Sequence, residues 1–311
     1  MSVLACDIGG TRIKLGIVRD GRVLIREVID AHSERGLQER LPAIANAFRG
    51  LCKTAKIALG DCAGISISFP SLIDPKSGRV LAEYGKYRDA PQIDLRAWAN
   101  EQFGLPMAIE NDARMALIGE WRFGAGQAYE DAVMITLGTG IGVAALSEGR
   151  VLRGKHGQAA VLCGHATVRY GGRLCSCGNI GCAEAEASSA FLSQIARERE
   201  DFATSLLSQQ PLLDYASVFQ CAARGDGCAK AISDHSLQVW SSLAVNLIHT
   251  FDPELVILGG GIMASAEIIL PAVQDYVRKH AHTPWGQVRV VASELGDEAA
   301  LVAGEWLLQE Q

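Results

Sequence analysis

Apolar and polar residues alternate with period two in two stretches of this 311-residue chain. Residues 3–24, VLACDIGGTRIKLGIVRDGRVL, read as strand, glycine turn, strand, Asp-Gly turn and strand. Residues 132–152, AVMITLGTGIGVAALSEGRVL, read the same way with Glu-Gly at the second turn, and both stretches end in Gly-Arg-Val-Leu. The chain therefore carries two meanders of one design. After the first, helical spacing over LQERLPAIANAFRGLCK predicts a helix at 37–53, and AGISISFP predicts a buried strand closing on a proline turn. After the second, helices are predicted at 188–200 and 229–251, then a strand in ELVILGGG that opens into a helix at 264–280. Strands followed by helices, twice over, predict two α/β lobes with mixed sheets and a cleft between them.

Composition sharpens this picture. With 49% hydrophobic and 21% charged residues the chain can bury a large core, and its length suits about two domains of roughly 100–200 residues. Nowhere do 18 apolar residues run together, and MSVLACDIGG lacks a basic leader, so a cytoplasmic protein with no membrane association is expected. A net charge of −6 argues against a nucleic-acid surface, which needs clustered Lys and Arg. What remains is a small-molecule enzyme or sensor.

Three glycine turns bear on which. In DIGGTRIK, the backbone N–H groups around Gly9, Gly10 and Thr11 can approach phosphate oxygens, while Asp7 at the strand end can hold a hydrated Mg²⁺. An ordinary hairpin turn has the same composition. LGTGIG at 137–142 repeats the chemistry with Gly138, Thr139 and Gly140, and LGGGI at 258–262 brings Gly260 and Gly261 between a strand and a helix. Neither a G-x-G-x-x-G run nor a Walker A sequence is present. A strand, PMAIEN, runs directly into a helix, DARMALIGEW, and puts Asp112 at the helix start. There it is either a capping aspartate or a base whose pKa the helix dipole keeps low. Asn111 beside it is a neutral donor and acceptor suited to sugar hydroxyls. CSCGNIGC at 175–182 packs Cys175, Cys177 and Cys182 into eight positions, which reads as a disulfide, a redox pair or a metal site. The other six cysteines stand among apolar neighbours, as buried thiols do.

In this order, DIGGTRIK, FPSLID, ENDA, LGTGIG, GH followed by CSCGNIGCAE, LGGGI and GDEAALVAGE make nearly the whole chain resemble sugar kinases of the ROK family (repressor, open reading frame, kinase), in the actin and hexokinase superfamily. The resemblance implies a two-lobed actin/hexokinase-like (ribonuclease H-like) α/β fold with mixed sheets and an interlobe cleft. Residues 1–112 and 296–311 would form a smaller lobe, and 113–295 a larger one carrying a zinc loop. It implies ATP-dependent phosphorylation of a hexose or hexose derivative at its primary hydroxyl, with Asp112 as general base. Asn111, His165 and Glu184 would bind the sugar. Asp7, Gly9, Gly10, Thr11, Lys14, Gly138, Thr139, Gly140, Gly260 and Gly261 would bind ATP and Mg²⁺. His165, Cys175, Cys177 and Cys182 would close a structural Zn²⁺ site, and a homodimer is implied.

Two departures bear on the substrate. The family's E-x-G-H pattern has Leu162 where a sugar-holding glutamate stands, and the loop AEYGKYRDA lacks the asparagine and tryptophan common in glucose-binding members. The family also contains DNA-binding repressors, whose extra module precedes the first glycine turn; Asp7 leaves no room for one, so that reading is not expected. A sugar-binding regulatory protein without kinase activity is the remaining alternative.

Overall fold

Two sheets of identical topology organise the molecule, a computed structural model that describes residues 1–82 and 85–310. The first meander becomes β1 (Ser2–Ile8), β2 (Arg12–Arg19) and β3 (Arg22–Asp30), followed by α1 (Leu41–Ala55) and β4 (Cys62–Phe69). A short ladder, β5 (Ile73–Asp74) with β6 (Arg79–Val80), precedes α2 (Leu95–Phe103), β7 (Met107–Asn111) and α3 (Asp112–Phe123). The second meander becomes β8 (Ala132–Leu137), β9 (Ile141–Ser147) and β10 (Arg150–Val151). Then come α4 (Ala183–Ala187), α5 (Ser189–Arg197), α6 (Tyr215–Ala223), α7 (Gly227–Phe251), β11 (Leu255–Gly259), α8 (Ala266–His280), β12 (Arg289–Ala292) and a C-terminal helix, Ala299–Gln309.

The first sheet is ordered β3-β2-β1-β4-β7 and the second β10-β9-β8-β11-β12. In each the meander strands pair antiparallel and the two later strands join parallel. The repeat seen in the sequence is thus a repeat of structure. Its second turns match as well: Asp20-Gly21 and Glu148-Gly149 both have positive φ at both central residues, the hairpin geometry that suits right-handed strand twist.

The chain divides into two compact units of nearly equal extent: Met1–Ala128 with Arg153–Ala159 and Glu294–Gln311, and Tyr129–Leu152 with Ala160–Ser293. The boundary expected near Asp112 therefore lies past α3, and the expected smaller and larger lobes are close in size. The reason is packing. Gly119 of α3 lies so near the C-terminal helix that a β-carbon there would meet Ala299 O at 2.1 Å, and Trp121 stacks edge-on against Trp306. Glu120, fully buried, also accepts from the Leu295 N–H at 2.8 Å. Helix α3 cannot leave the first unit without losing these contacts.

The core of the first unit joins Leu4, Ile13 and Leu15 to Phe48 of α1 and Ile65, Ile67 and Ile109. Helix α1 begins at Leu41, later than periodicity alone predicts, because Pro42 fits only in a first turn. Beneath the sheet end lies a charged cluster. Glu110 and Arg114, both wholly buried, pair at 3.3 Å, and Arg153 reaches the other Glu110 oxygen at 2.7 Å. Arg114 also donates to the carbonyls of Gly157 and Ala159 at 3.0 Å each. That pairing fastens residues 153–159 to the first unit. In the second unit Ile135, Val143, Val256 and Leu258 pack on Trp240 and Leu243 of α7. The Trp240 indole N–H donates to Ala187 O at 3.0 Å, so its one polar atom is satisfied.

Candidate active site and metal centre

In the first unit, the C-terminal ends of three parallel strands bring the acidic residues together, the usual place for a ligand in such sheets. Strand register sets Asp7 of β1 opposite Ser68 of β4, and Phe69 opposite Asn111 of β7. Ser68 donates to Asp7 at 2.7 Å. Lys14 stands 3.5 Å from Asp7 and 2.9 Å from Asp297 of the GDEAALVAGE segment. Neither Ser68 nor Asp297 was assigned a role from sequence; only the strand register and the terminal helix bring them to Asp7.

The turn after β1 is held from behind. Gly9 N–H donates to Arg12 O, while the carbonyls of Gly9 and Gly10 accept from the Tyr87 hydroxyl and from Ser33 Oγ, each at 2.8 Å. The N–H groups of Gly10 and Thr11 meet no protein acceptor among the described residues. They are thus available to an anion. The loop AEYGKYRDA reaches this turn through Tyr87; its Glu83 and Tyr84 lie outside the described residues.

Asn111, not Asp112, caps α3: its side-chain oxygen accepts from the N–H groups of Ala113 and Arg114 at 3.1 and 3.2 Å. Its amide donates to Ser71 O and to Asp112 Oδ1 at 3.1 and 3.0 Å. With 7% exposure and these four bonds, Asn111 orients Asp112, and a sugar hydroxyl would have to displace a bond to reach it. Asp112, one residue further on, also accepts from the Ala113 N–H through Oδ1 at 2.8 Å. Its pKa is not low, as the helix start led us to expect, but pushed up to about 6. Desolvation is the largest cause and the Asp7 charge the next; the Ala113 N–H, Lys86 and the Asn111 amide pull the other way without prevailing.

The second unit carries the other glycine turns and the cysteine loop. The carbonyls of Gly138 and Thr139 accept from Ser189 and Ala190 N–H at the start of α5, at 3.0 and 3.1 Å, and the N–H groups of Thr139 and Gly140 meet no protein acceptor among the described residues. Glu184 Oε2 accepts from Ile141 N–H at 2.9 Å. A β-carbon on Gly140 would meet that oxygen at 2.4 Å, so a larger residue there would have to displace the Glu184 carboxylate. Gly260 and Gly261 form an exposed turn after β11.

All nine cysteines are free thiols. The ligand atoms of His165, Cys175, Cys177 and Cys182 lie within 4.8 Å of one another. Cys175 Sγ is 3.5 Å from His165 Nδ1, and Cys177 Sγ is 3.7 Å from Cys182 Sγ. A tetrahedral zinc with ordinary bond lengths sets these separations at roughly 3.6 and 3.8 Å. Burial and then the neighbouring thiols push Cys182 up to about 12, so three thiolates need a cation among them. The donor set therefore fits Zn²⁺. Glu184 Oε1 stands 4.0 Å from His165 Nδ1, which puts the two expected sugar-binding residues side by side. Leu162, half-buried, accepts the His165 N–H at 2.9 Å, one turn before the histidine.

A family model described as the ROK family matches residues 3–311. A glucokinase of Thermotoga maritima is 30% identical, with 100% of this chain and 98% of that protein covered. The crystal structure of a ROK family glucokinase from Streptomyces griseus with glucose and AMPPNP superposes with a TM-score of 0.83 at 30% identity, covering 99% of this chain and 100% of the other. A xylose repressor of Bacillus subtilis is also 30% identical, over 76% of this chain and 58% of its own length.

The raised Asp112 pKa has a consequence for stability. The folded protein holds this proton more tightly than the unfolded chain, whose carboxyl titrates near 4. Ionisation therefore costs stability as pH rises from roughly 4 through about 6. Thermal unfolding should show Asp112→Asn melting above native protein at pH 8, the difference fading below pH 4. An equal gain at both pH values would show that the charge is not its source.

Proposed function

The chain belongs to the ROK family and is an ATP-dependent sugar kinase; we propose that its acceptor is a hexose or hexose derivative, phosphorylated at the primary hydroxyl with Asp112 as general base. The observation that carries this reading is the Asp112 carboxyl itself, oriented by the Asn111 amide and the Ala113 N–H, and brought to about 6. A base poised near neutral pH takes a proton most effectively there. As the sugar oxygen bonds to the γ-phosphorus, its proton passes to Asp112, and the bond from phosphorus to the β,γ-bridging oxygen breaks with its electron pair leaving on ADP. Asp7, steadied by Ser68, would hold the hydrated Mg²⁺ that shields the phosphates. The turns at Gly9–Thr11 and Gly138–Gly140 would bind phosphate through their N–H groups, Lys14 would support Asp7, and Gly260–Gly261 would flank the adenosine.

His165, Cys175, Cys177 and Cys182 would hold a zinc whose four protein ligands leave no position for water, so the ion stabilises the loop and takes no chemical part. That loop sets Glu184 and the His165 ring to bind sugar hydroxyls. A homodimer, carried over from the family resemblance, and a cytoplasmic location, expected from the sequence itself, are part of this reading; among the described residues no helix is long and apolar enough to cross a membrane.

Asp112→Asn should lower kcat by about 10²–10⁴ with little change in sugar KM. In native protein kcat/KM should fall as pH drops through about 6, because Asp112 must be ionised to act. Steady-state kinetics across pH tests both, and near-normal turnover by Asp112→Asn would overturn the assignment of the base.

Metal analysis of purified protein should return one zinc per chain. Cys177 is the exposed thiol of the set, so Cys177→Ser probes ligation with little loss of packing. It should lose the metal and melt at lower temperature; native protein that is folded and zinc-free would refute the site.

Leu162 offers an apolar edge where a carboxylate would bind a sugar hydroxyl. A lost partner for one buried hydroxyl is worth about 1–3 kcal/mol, or roughly 5- to 150-fold. Glucose should therefore be a poor substrate in a panel with mannose, allose, fructose and N-acetylated hexosamines, and Leu162→Glu should recover part of the deficit. Efficient glucose turnover, unimproved by the glutamate, would place Leu162 away from the sugar.

A further inference from the structure

Among the described residues, Lys86 is a cation without an ordinary partner. Its ammonium makes no hydrogen bond and no salt bridge to any described residue, although it is half-buried and lies in an acidic neighbourhood. Lys14 is by contrast engaged with both Asp7 and Asp297. The Lys86 side chain lies flat over Gly10: a β-carbon on that glycine would meet Nζ at 2.6 Å, Cε at 2.7 Å and Cδ at 2.8 Å. The same charge acts on the Asp112 carboxylate. Lys86 thus stands at the anion-accepting turn and within the field of the base.

The next residue explains how it is held. Tyr87 is fully buried, donates its hydroxyl to Gly9 O at 2.8 Å and its N–H to Ser33 O at 2.9 Å. Its φ is +51°, a left-handed conformation that is costly for a bulky side chain and that persists only where surrounding contacts impose it. Packing Tyr87 behind the turn fixes the backbone from which Lys86 reaches across the front of it. The loop therefore delivers a positive charge to the place where, on the reading above, the γ-phosphoryl group meets the attacking hydroxyl.

We infer that Lys86 is a catalytic residue, its ammonium binding the equatorial oxygens of the phosphoryl group in transit, with Tyr87 as its positioning residue. This rests on the assignment of Gly9–Thr11 as a phosphate turn and Asp112 as the base. The lysine neither gives nor takes a proton in the step already described; it offsets negative charge on the phosphoryl oxygens, which a preorganised cation does best in a poorly solvated place. Nothing in the sequence singled it out, because its importance comes from the contact of two loops.

The test compares native protein with Lys86→Met, Lys86→Arg, Tyr87→Phe and Asp112→Asn, using MgATP and the best acceptor of the hexose panel. Lys86→Met keeps the length of the stem and removes the charge. It should lower kcat by about 10- to 10³-fold, leave the sugar KM and the calorimetric Kd for MgADP within about threefold, and recover in part as Lys86→Arg. Unchanged MgADP binding shows that the variant is folded and that its loss belongs to the group in transit. Tyr87→Phe should give a smaller fall in kcat, again without change in KM. A kcat for Lys86→Met within twofold of native overturns the inference. So does a loss confined to sugar KM, which would assign the lysine to an acidic substituent on the acceptor, and so does a loss that the arginine does not relieve at all. If Asp112→Asn is inactive while Lys86→Met is native-like, the role of Lys86 fails alone. If native protein phosphorylates no sugar, or Asp112→Asn is fully active, the underlying reading fails and takes this inference with it.

Discussion

Burial of the Asp112 carboxyl, with a second carboxylate at Asp7 adding to its cost, is the constraint around which this end of the first unit is arranged. Asp7 stands near the end of β1 and Asp112 directly after β7, with β4 between the two strands, and the Asp7 charge makes Asp112 harder to ionise. Separate groups answer each charge: the Ser68 hydroxyl and Lys14 at Asp7, the Asn111 amide, the Ala113 N–H and Lys86 at Asp112. The compensation is incomplete, and Asp112 keeps a raised pKa. The helix N–H of Ala113 does favour the ionised form of Asp112, but burial and the Asp7 charge outweigh it. The strain is of the kind a site tolerates when an ionised group must remain reactive.

The sequence made some parts of this legible and hid others for physical reasons. Alternation of period two and paired Asp-Gly and Glu-Gly turns are local properties, so both meanders and their shared topology could be read directly. Asp7, Asp112 and the cysteine cluster carry unusual chemistry in short motifs, and they too were visible. The unit boundary was not, because helix α3 belongs where it does through Gly119 and Trp121 meeting a helix about 180 residues later. Asn111 was read as a sugar ligand since its side chain suits that purpose. Only the structure shows its four hydrogen-bonding positions occupied by Ala113, Arg114, Ser71 and Asp112. Ser68 looks like any strand serine until the register sets it opposite Asp7.

In the second unit one residue links three features. Glu184 follows the last cysteine of the cluster, faces His165, and accepts from Ile141 at the close of the Gly138–Gly140 turn. A disturbance of the cysteine loop would thus reach the turn through a single carboxylate. The side chain that identifies the loop chemically also supports the backbone of a separate motif, so the two motifs could not have been exchanged independently.

The charged cluster under β7 has an analogous effect on residues 153–159. Arg114 reaches two carbonyls of this segment from within the core, while Arg153 returns to Glu110 from the segment's first residue. Both ends are therefore registered against the same buried pair. Side chains at the exposed positions Lys155 and His156 can vary freely in chemistry, while Gly154 is held to glycine by its φ of +67°, and adding or deleting one residue would move the Gly157 and Ala159 carbonyls away from a fully buried guanidinium. The segment is constrained in length far more than in composition, and an alignment gap inside it would signal a different partner at position 114.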